Sequence, residues 1–96
     1  MFSSPDLSIH EAALHNAVER GSLDEVKQIL SLRQEAKLNV NSRNPELSDL
    51  TPMHIAAQKG HAELCHFLML VGGFPYLRNR DGLTPADLAS QAGILN

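Results

Sequence analysis

Three copies of one short pattern occupy much of this sequence. The stretch from Ala13 to Gly21 returns from Pro52 to Gly60 and again from Thr84 to Gly93. A unit of this size cannot bury its own apolar side chains and must pack against a neighbouring unit. The repeat therefore predicts an elongated stack with an extended binding surface, rather than a fold built around a catalytic pocket.

Composition narrows the classes of function further. The 96 residues are 43% hydrophobic and 20% charged, with a net charge of −3 and a single cysteine, Cys65. This length suits one domain, residues 1–96. The negative charge argues against binding to nucleic acid or to an anionic membrane, since both depend on excess Lys and Arg. One cysteine and no secretion signal favour an intracellular protein, most simply cytoplasmic, with the nucleus or a host-cell cytosol left open.

The glycines that close each copy define the units. Gly21 and Gly60 are 39 residues apart, and Gly60 and Gly93 are 33 apart. The extra length of the first unit falls within residues 32–46, a polar stretch that can lengthen a connection at little entropic cost. The predicted units are residues 8–45, 46–78 and 79–96, and the last is incomplete.

Helix start and stop signals recur in each unit. Thr51 and Thr84 each precede a proline, which suits the first position of a helix, and Ser8 with Glu11 has the capping-box spacing. A glycine ends the first helix of each unit. These signals predict five short helices, near residues 8–20, 23–32, 52–59, 62–71 and 85–92.

Spacings of three and four residues predict which side chains form the core. The second helix of unit 1 and that of unit 2 each carry an apolar stripe on one face. The predicted core residues are Leu23, Val26, Ile29, Leu30, Leu64, Phe67, Leu68 and Val71.

Three segments resemble the ankyrin repeat: residues 51–57, residues 60–64 and residues 81–89. The resemblance covers about residues 8–96. It implies an all-α solenoid of stacked antiparallel helix pairs with projecting β-turn fingers and a concave face. It also implies non-catalytic binding of a protein partner, without a cofactor.

The chain departs from the ankyrin pattern at several positions. Ala12 and Ala13 stand where the pattern has Thr-Pro, and Asp49 stands at a finger position where the pattern has Gly, which tolerates a left-handed backbone better than Asp does. Phe74 and Tyr76 replace the usual Asp and Asn, which predicts an apolar spot on that loop.

The resemblance also implies which residues contact a partner. They belong to the finger tips and to the exposed side of the first helices. As exposed side chains, Lys59 and Arg80 are expected to tolerate alanine with little loss of stability. The predicted partner-binding residues are Glu19, Arg20, Leu47, Ser48, Leu50, Gln58, Lys59, Arg80, Asp81, Leu83 and Gln91.

Histidines raise the question of a metal or catalytic site. His15, His54 and Asp87 occupy the same slot in the three units, and three residue types in one slot indicate local hydrogen bonding instead of catalysis. His61 and Cys65 are four residues apart with His66 beside them, but two ligands do not make a zinc site. A metal or redox sensor built on Cys65 is therefore a minor alternative.

Two further expectations concern the C-terminal end. The chain could be an N-terminal structural fragment of a larger ankyrin-repeat protein whose other repeats bind the partner. Unit 3 reaches Asn96 without a second helix, so the apolar flank of unit 2 lacks the neighbour that a stack requires. We expect either self-association through this open C-terminal end or stabilisation when more chain is added.

Overall fold

The computed structural model describes residues 8–31 and 38–93. Over these residues the fold is all-α and matches the five predicted helices to within two residues at each end. The helices are α1 (Ile9–Arg20), α2 (Leu23–Leu30), α3 (Pro52–Lys59), α4 (Ala62–Leu70) and α5 (Pro85–Gln91). A hydrophobic contact of Leu7 with Ala12 around the Ser8 cap would involve a residue outside the described ranges, and so would any cap formed by Ile94 and Leu95 at the open end.

The polar connection between units 1 and 2 holds one element that the sequence analysis did not predict. A single 3₁₀ turn, Pro45–Leu47, is capped by the Asn44 side chain, which accepts a hydrogen bond from the Glu46 backbone N–H. Proline at its first position fits, because proline lacks the N–H that would be unpaired there.

Capping side chains begin four of the five helices. Ser8, Thr51 and Thr84 each accept from the third backbone N–H of their helix, and the side chain at that third position returns a bond to the cap. Ser22 caps α2 in the simpler way, by accepting from the Glu25 N–H. Such caps satisfy backbone donors that have no partner within the helix.

Glycine ends the first helices of units 1 and 2 as predicted. Gly21 and Gly60 have φ of 78° and 77°, and each donates its N–H to a carbonyl of the last turn. This left-handed conformation costs glycine little and reverses the chain into the second helix.

The first helices form a row with α3 in the middle. Every residue from Pro52 to Ala56 is buried, because α3 contacts α1 on one side and α5 on the other. The second helices cover this row and complete one core. That core contains Leu14, Ala17, Val18, Val26, Leu30, Met53, Ile55, Ala56, Leu64 and Leu68.

The predicted core stripes are only partly confirmed. Leu64 and Leu68 are buried, but Phe67 and Val71 are half-buried and pack at the edge of the core. Leu23 and Ile29 are half-buried in the same way on α2. The second helices, α2 and α4, have solvent on one side. Their apolar stripes are therefore fully buried only along the centre, and the side chains at the edges stay half-buried.

The longest helix in the described part of the chain, α1, has 12 residues. None of the helices there is long and apolar enough to cross a membrane.

Candidate partner-binding surface

Two hairpin-like fingers carry six of the eleven predicted contact residues. We call residues 44–50 the second finger and residues 79–83 the third finger. Each is closed by a backbone bond of 2.9 Å, from the Asn44 N–H to the Leu50 carbonyl and from the Asn79 N–H to the Leu83 carbonyl. The fingers are therefore fixed loops and not open connections.

The tip of the second finger uses two residues with a left-handed backbone. Ser48 and Asp49 have φ of 54° and 62°. The sequence analysis identified this requirement at Asp49 but not at Ser48. Non-glycine residues adopt this conformation at some cost, and Asp adopts it more readily than most.

A buried asparagine holds the third finger in shape. The Asn79 side chain is only 8% exposed, and its Oδ1 accepts from the backbone N–H groups of Asp81, at 3.0 Å, and Leu83, at 2.9 Å. Its side chain thus takes the place of a backbone turn.

Arginine side chains join the two fingers. Arg80 donates from Nη2 to the Pro45 carbonyl at 2.6 Å, and the same atom lies 3.6 Å from an Asp49 carboxylate oxygen. Arg43, the residue just before the second finger, donates from Nη1 to the carbonyl of Arg78, the residue just before the third finger, at 2.6 Å. The fingers therefore form one surface, and Arg80 is a strut within it rather than a free side chain.

We expect Arg80→Ala to cost more stability than Lys59→Ala. Loss of the Arg80 bonds should lower the free energy of unfolding by about 0.5–1 kcal/mol, a value reduced for their exposure to solvent, against less than about 0.5 kcal/mol for Lys59. Urea denaturation of both variants measures the difference. Equal shifts would show that the strut adds nothing, and Arg80→Lys separates the charge from the forked geometry.

His54 connects α3 to the third finger. Its Nδ1 accepts from the Thr51 N–H at 3.2 Å and lies 2.8 Å from Thr51 Oγ1, so Nε2 carries the proton and donates to the Leu83 carbonyl at 2.9 Å. Burial lowers the pKa of His54 and keeps the ring neutral. The predicted structural role of this slot is therefore confirmed, and Asp87 caps α5 from the same slot.

His15 makes only half of these bonds. Its Nε2 lies 3.1 Å from the Ser42 carbonyl oxygen and 3.0 Å from Ser42 Oγ, whereas its buried Nδ1 has no partner among the residues that the structure describes. In unit 2 the Thr51 N–H donates to His54 Nδ1, and Ala12 occupies the place of Thr51 in unit 1. The Ala12 N–H donates instead to the Ser8 carbonyl, because α1 begins a turn earlier. Burial lowers the pKa of His15 to about 4.

A loop with exposed aromatic side chains lies beside the fingers. Asn41 holds it, accepting from the Phe74 N–H at 2.7 Å and donating to the Gly72 carbonyl at 3.1 Å. Phe74 is 56% exposed and Tyr76 is 76% exposed, which confirms the apolar spot expected from the sequence.

The predicted partner-binding residues divide into exposed and anchored ones. Leu50 packs against the core, the carbonyl of Leu83 holds His54, and the Ser48 carbonyl accepts from the Arg80 N–H. Arg20 is exposed but pairs with Glu25 at 2.7 Å. The exposed members are Glu19, Arg20, Leu47, Gln58, Lys59, Arg80, Asp81 and Gln91.

The residues considered for a metal site make other contacts. The His61 ring lies against Gly21, and its Nε2 is 3.4 Å from the Glu19 carbonyl oxygen. Burial raises the pKa of the Cys65 thiol, which opposes formation of the thiolate that binds metal. Across residues 8–31 and 38–93, no three His, Cys, Asp or Glu side chains are grouped to hold an ion.

Comparison with known proteins agrees with this geometry. Residues 9–96 match the family described as ankyrin repeats, in three copies. The chain belongs to the ankyrin-repeat family, whose members generally act as protein-interaction modules.

Longer proteins contain similar segments. Human ARF GTPase-activating protein GIT1 is 36% identical over 80 residues, and human GIT2 is 34% identical over the same length. Human 2-5A-dependent ribonuclease is 36% identical over 80 residues. Each alignment covers 83% of this chain and 10% of the relative, so the chain spans about a tenth of the length of these relatives.

Proposed function

We propose that the chain is a non-catalytic module that binds a protein partner through its two fingers and the exposed side of its first helices. The observation that carries this proposal is the joined finger pair. Its backbone bonds and Arg80 strut hold Leu47, which is 45% exposed, and Asp81 in fixed positions. A preorganised surface loses less conformational entropy on binding than a mobile loop does.

The first helices extend this surface with polar side chains. Gln58 at the end of α3 and Gln91 at the end of α5 are exposed and occupy matching places in their units, and exposed Lys59 follows Gln58. Exposed Leu47, Phe74 and Tyr76 add apolar area near the fingers. A partner with an apolar centre and a polar rim fits such a surface.

The alternative of a structural fragment has weaker support. The relatives contain this repeat region within much longer chains. The names of those relatives include GTPase-activating and ribonuclease activities. These activities belong to those proteins and are not assigned to this chain. We propose no catalysis for this chain, because the buried histidines serve as links between units and the Cys65 thiol is half-buried with a raised pKa. An intracellular, cytoplasmic location remains part of this proposal.

Affinity capture from the source cell, with matched variants, tests this function. We expect Leu47→Ala combined with Lys59→Glu to lower partner recovery at least about tenfold if these are central contacts, since central contacts cost more than 1 kcal/mol each. Gln28→Ala, an exposed change on α2, is the control and should bind as wild type does.

Equal recovery by the folded double variant and the wild type would contradict the proposed surface. Circular dichroism and urea denaturation must first show that the variant folds. Loss of binding in Gln28→Ala alone would move the site to the second helices.

A further inference from the structure

A groove lies on the outer face of the stack, between the second helices of units 1 and 2. Its volume is ≈ 440 Å³. We call it the outer groove, and its lining includes Leu23 and Lys27 of α2 and Glu63, Phe67 and Leu70 of α4. The first helices stack in the order α1, α3, α5, so a further second helix would follow α4 on the side away from α2. The outer groove therefore does not depend on where the sequence ends.

The outer groove has apolar side chains both inside it and beside it. Leu23 and Phe67 are half-buried, and they pack at the edge of the core. Leu70, at the end of α4, is 71% exposed. One face of the molecule therefore presents a recess together with a leucine that projects into solvent. Apolar area of this kind on a surface marks a site of interaction.

Opposite charges stand on the two sides of the outer groove. Lys27 lies on the α2 side, and its Nζ is 5.7 Å from the centre of the Phe67 ring. Glu63 lies on the α4 side. Neither charge forms an ion pair with another residue in the described part of the chain. Each is therefore available to an opposite charge on a binding partner.

We propose that the outer groove pairs with the outer groove of a second copy of this chain, related to the first by a two-fold axis. The rotation exchanges the two sides of the groove, so Lys27 of each copy faces Glu63 of the other. It also makes the helices of the two copies antiparallel, so Leu70 at the end of α4 lies against Leu23 at the start of α2. The interface contains no finger residue, so the proposal does not depend on the proposed function.

We expect a weak and reversible dimer. The helices that form the interface, α2 and α4, have eight and nine residues. Their outer sides offer less than the roughly 800 Å² per partner of a standard stable interface, which indicates a dissociation constant on the order of 0.1 mM. Sedimentation of the purified chain from about 10 μM to about 1 mM covers this range. The average mass should rise from that of the monomer towards that of the dimer.

Exchange of the two charges tests the pairing. Lys27→Glu brings like charges together at both pairs of the interface, and Glu63→Lys does the same with the opposite sign. Each variant alone should weaken self-association at least about tenfold. An equimolar mixture of the two should associate as the wild type does, because it restores both opposite-charge pairs. One chain that carries both substitutions should also associate with itself.

The apolar contact can be tested without a change of charge. Leu70→Ala should weaken association at least about fivefold, the effect of a central interface contact. The monomer should keep its fold, because Leu70 is exposed. Lys59→Glu is the control for the change of charge, since Lys59 is exposed on α3 outside the outer groove, and it should associate as the wild type does. Circular dichroism shows whether each variant is folded.

Four results would overturn the proposal. A wild-type chain that stays monomeric up to about 1 mM would show that no second copy occupies the groove. A mixture of folded Lys27→Glu and Glu63→Lys that fails to associate would show that these residues do not face each other. Undiminished association of Leu70→Ala would place the interface elsewhere. Association that survives these changes but is lost in Ala86→Glu would assign it to the C-terminal end of the stack.

Discussion

Leu68→Ala should largely unfold the protein. Leu68 is fully buried at the junction of units 1 and 2, where both second helices share the core. Removing a buried leucine side chain costs about 2–5 kcal/mol. A domain of this size can have as little as about 5 kcal/mol of total stability, so little of it would remain.

Urea denaturation followed by circular dichroism measures this loss. Leu70→Ala is the matched control, because it makes the same chemical change on the same helix at a side chain that is 71% exposed. It should shift stability by less than about 0.5 kcal/mol. Similar midpoints for the two variants would show that α4 presents a different face to the core.

Mild acid should weaken the fold through His15. The ring is neutral in the folded protein, where its pKa is about 4, and it takes up a proton near pH 6.5 once the chain is unfolded. The unfolded state therefore binds more protons between these pH values, and the free energy of unfolding falls as pH falls from 6.5 to about 4. The difference corresponds to about 3 kcal/mol.

Other groups add to this acid sensitivity in the same direction. His54 also has a lowered pKa, because of burial. The carboxyl pKa of Glu25 is lowered by its bond from Arg20, and that of Asp87 by its bond from the Thr84 N–H. These carboxylates lose their stabilising contacts only at the acid end of the range, so the loss that begins near pH 6.5 belongs to the histidines.

His15→Gln isolates the contribution of His15. Glutamine can still donate to the Ser42 carbonyl but does not titrate, so its stability should change much less between pH 6.5 and 4. His66→Gln on the exposed side of α4 is the control for removing an imidazole. A wild-type slope retained in His15→Gln would show that His15 is not the titrating group.

Local signals explain why the helices could be predicted. Ser8 with Glu11 and the two Thr-Pro pairs act within one turn, and the glycines act at a single φ angle. Only two residues separate the end of α1 from the start of α2, so the position of Gly21 fixed both of these boundaries. The 3₁₀ turn at residues 45–47 was missed, because a proline in a polar stretch reads equally well as a loop breaker.

The surface was less predictable than the fold. Arg80 has the sequence signature of a solvated side chain, yet its acceptor is a carbonyl 35 residues away. Leu50 reads as a finger residue, but it packs against the core, since it directly precedes the fully buried Thr51. The Cβ that any residue would place at Gly21 lies 2.8 Å from the His61 ring, which no local pattern indicates.

By itself the sequence determined the repeat, the helices and the central core positions, because capping, helix termination and three-to-four-residue spacing act within one unit. Tertiary structure alone decided how the units meet. It joined the fingers through Arg80. Within the described part of the chain, it left Nδ1 of His15 without a partner, and it buried Leu30 of α2 while leaving Met69, at the matching place on α4, exposed. These outcomes depend on which unit lies next to which, and contacts between distant residues are not encoded in the spacing of near ones.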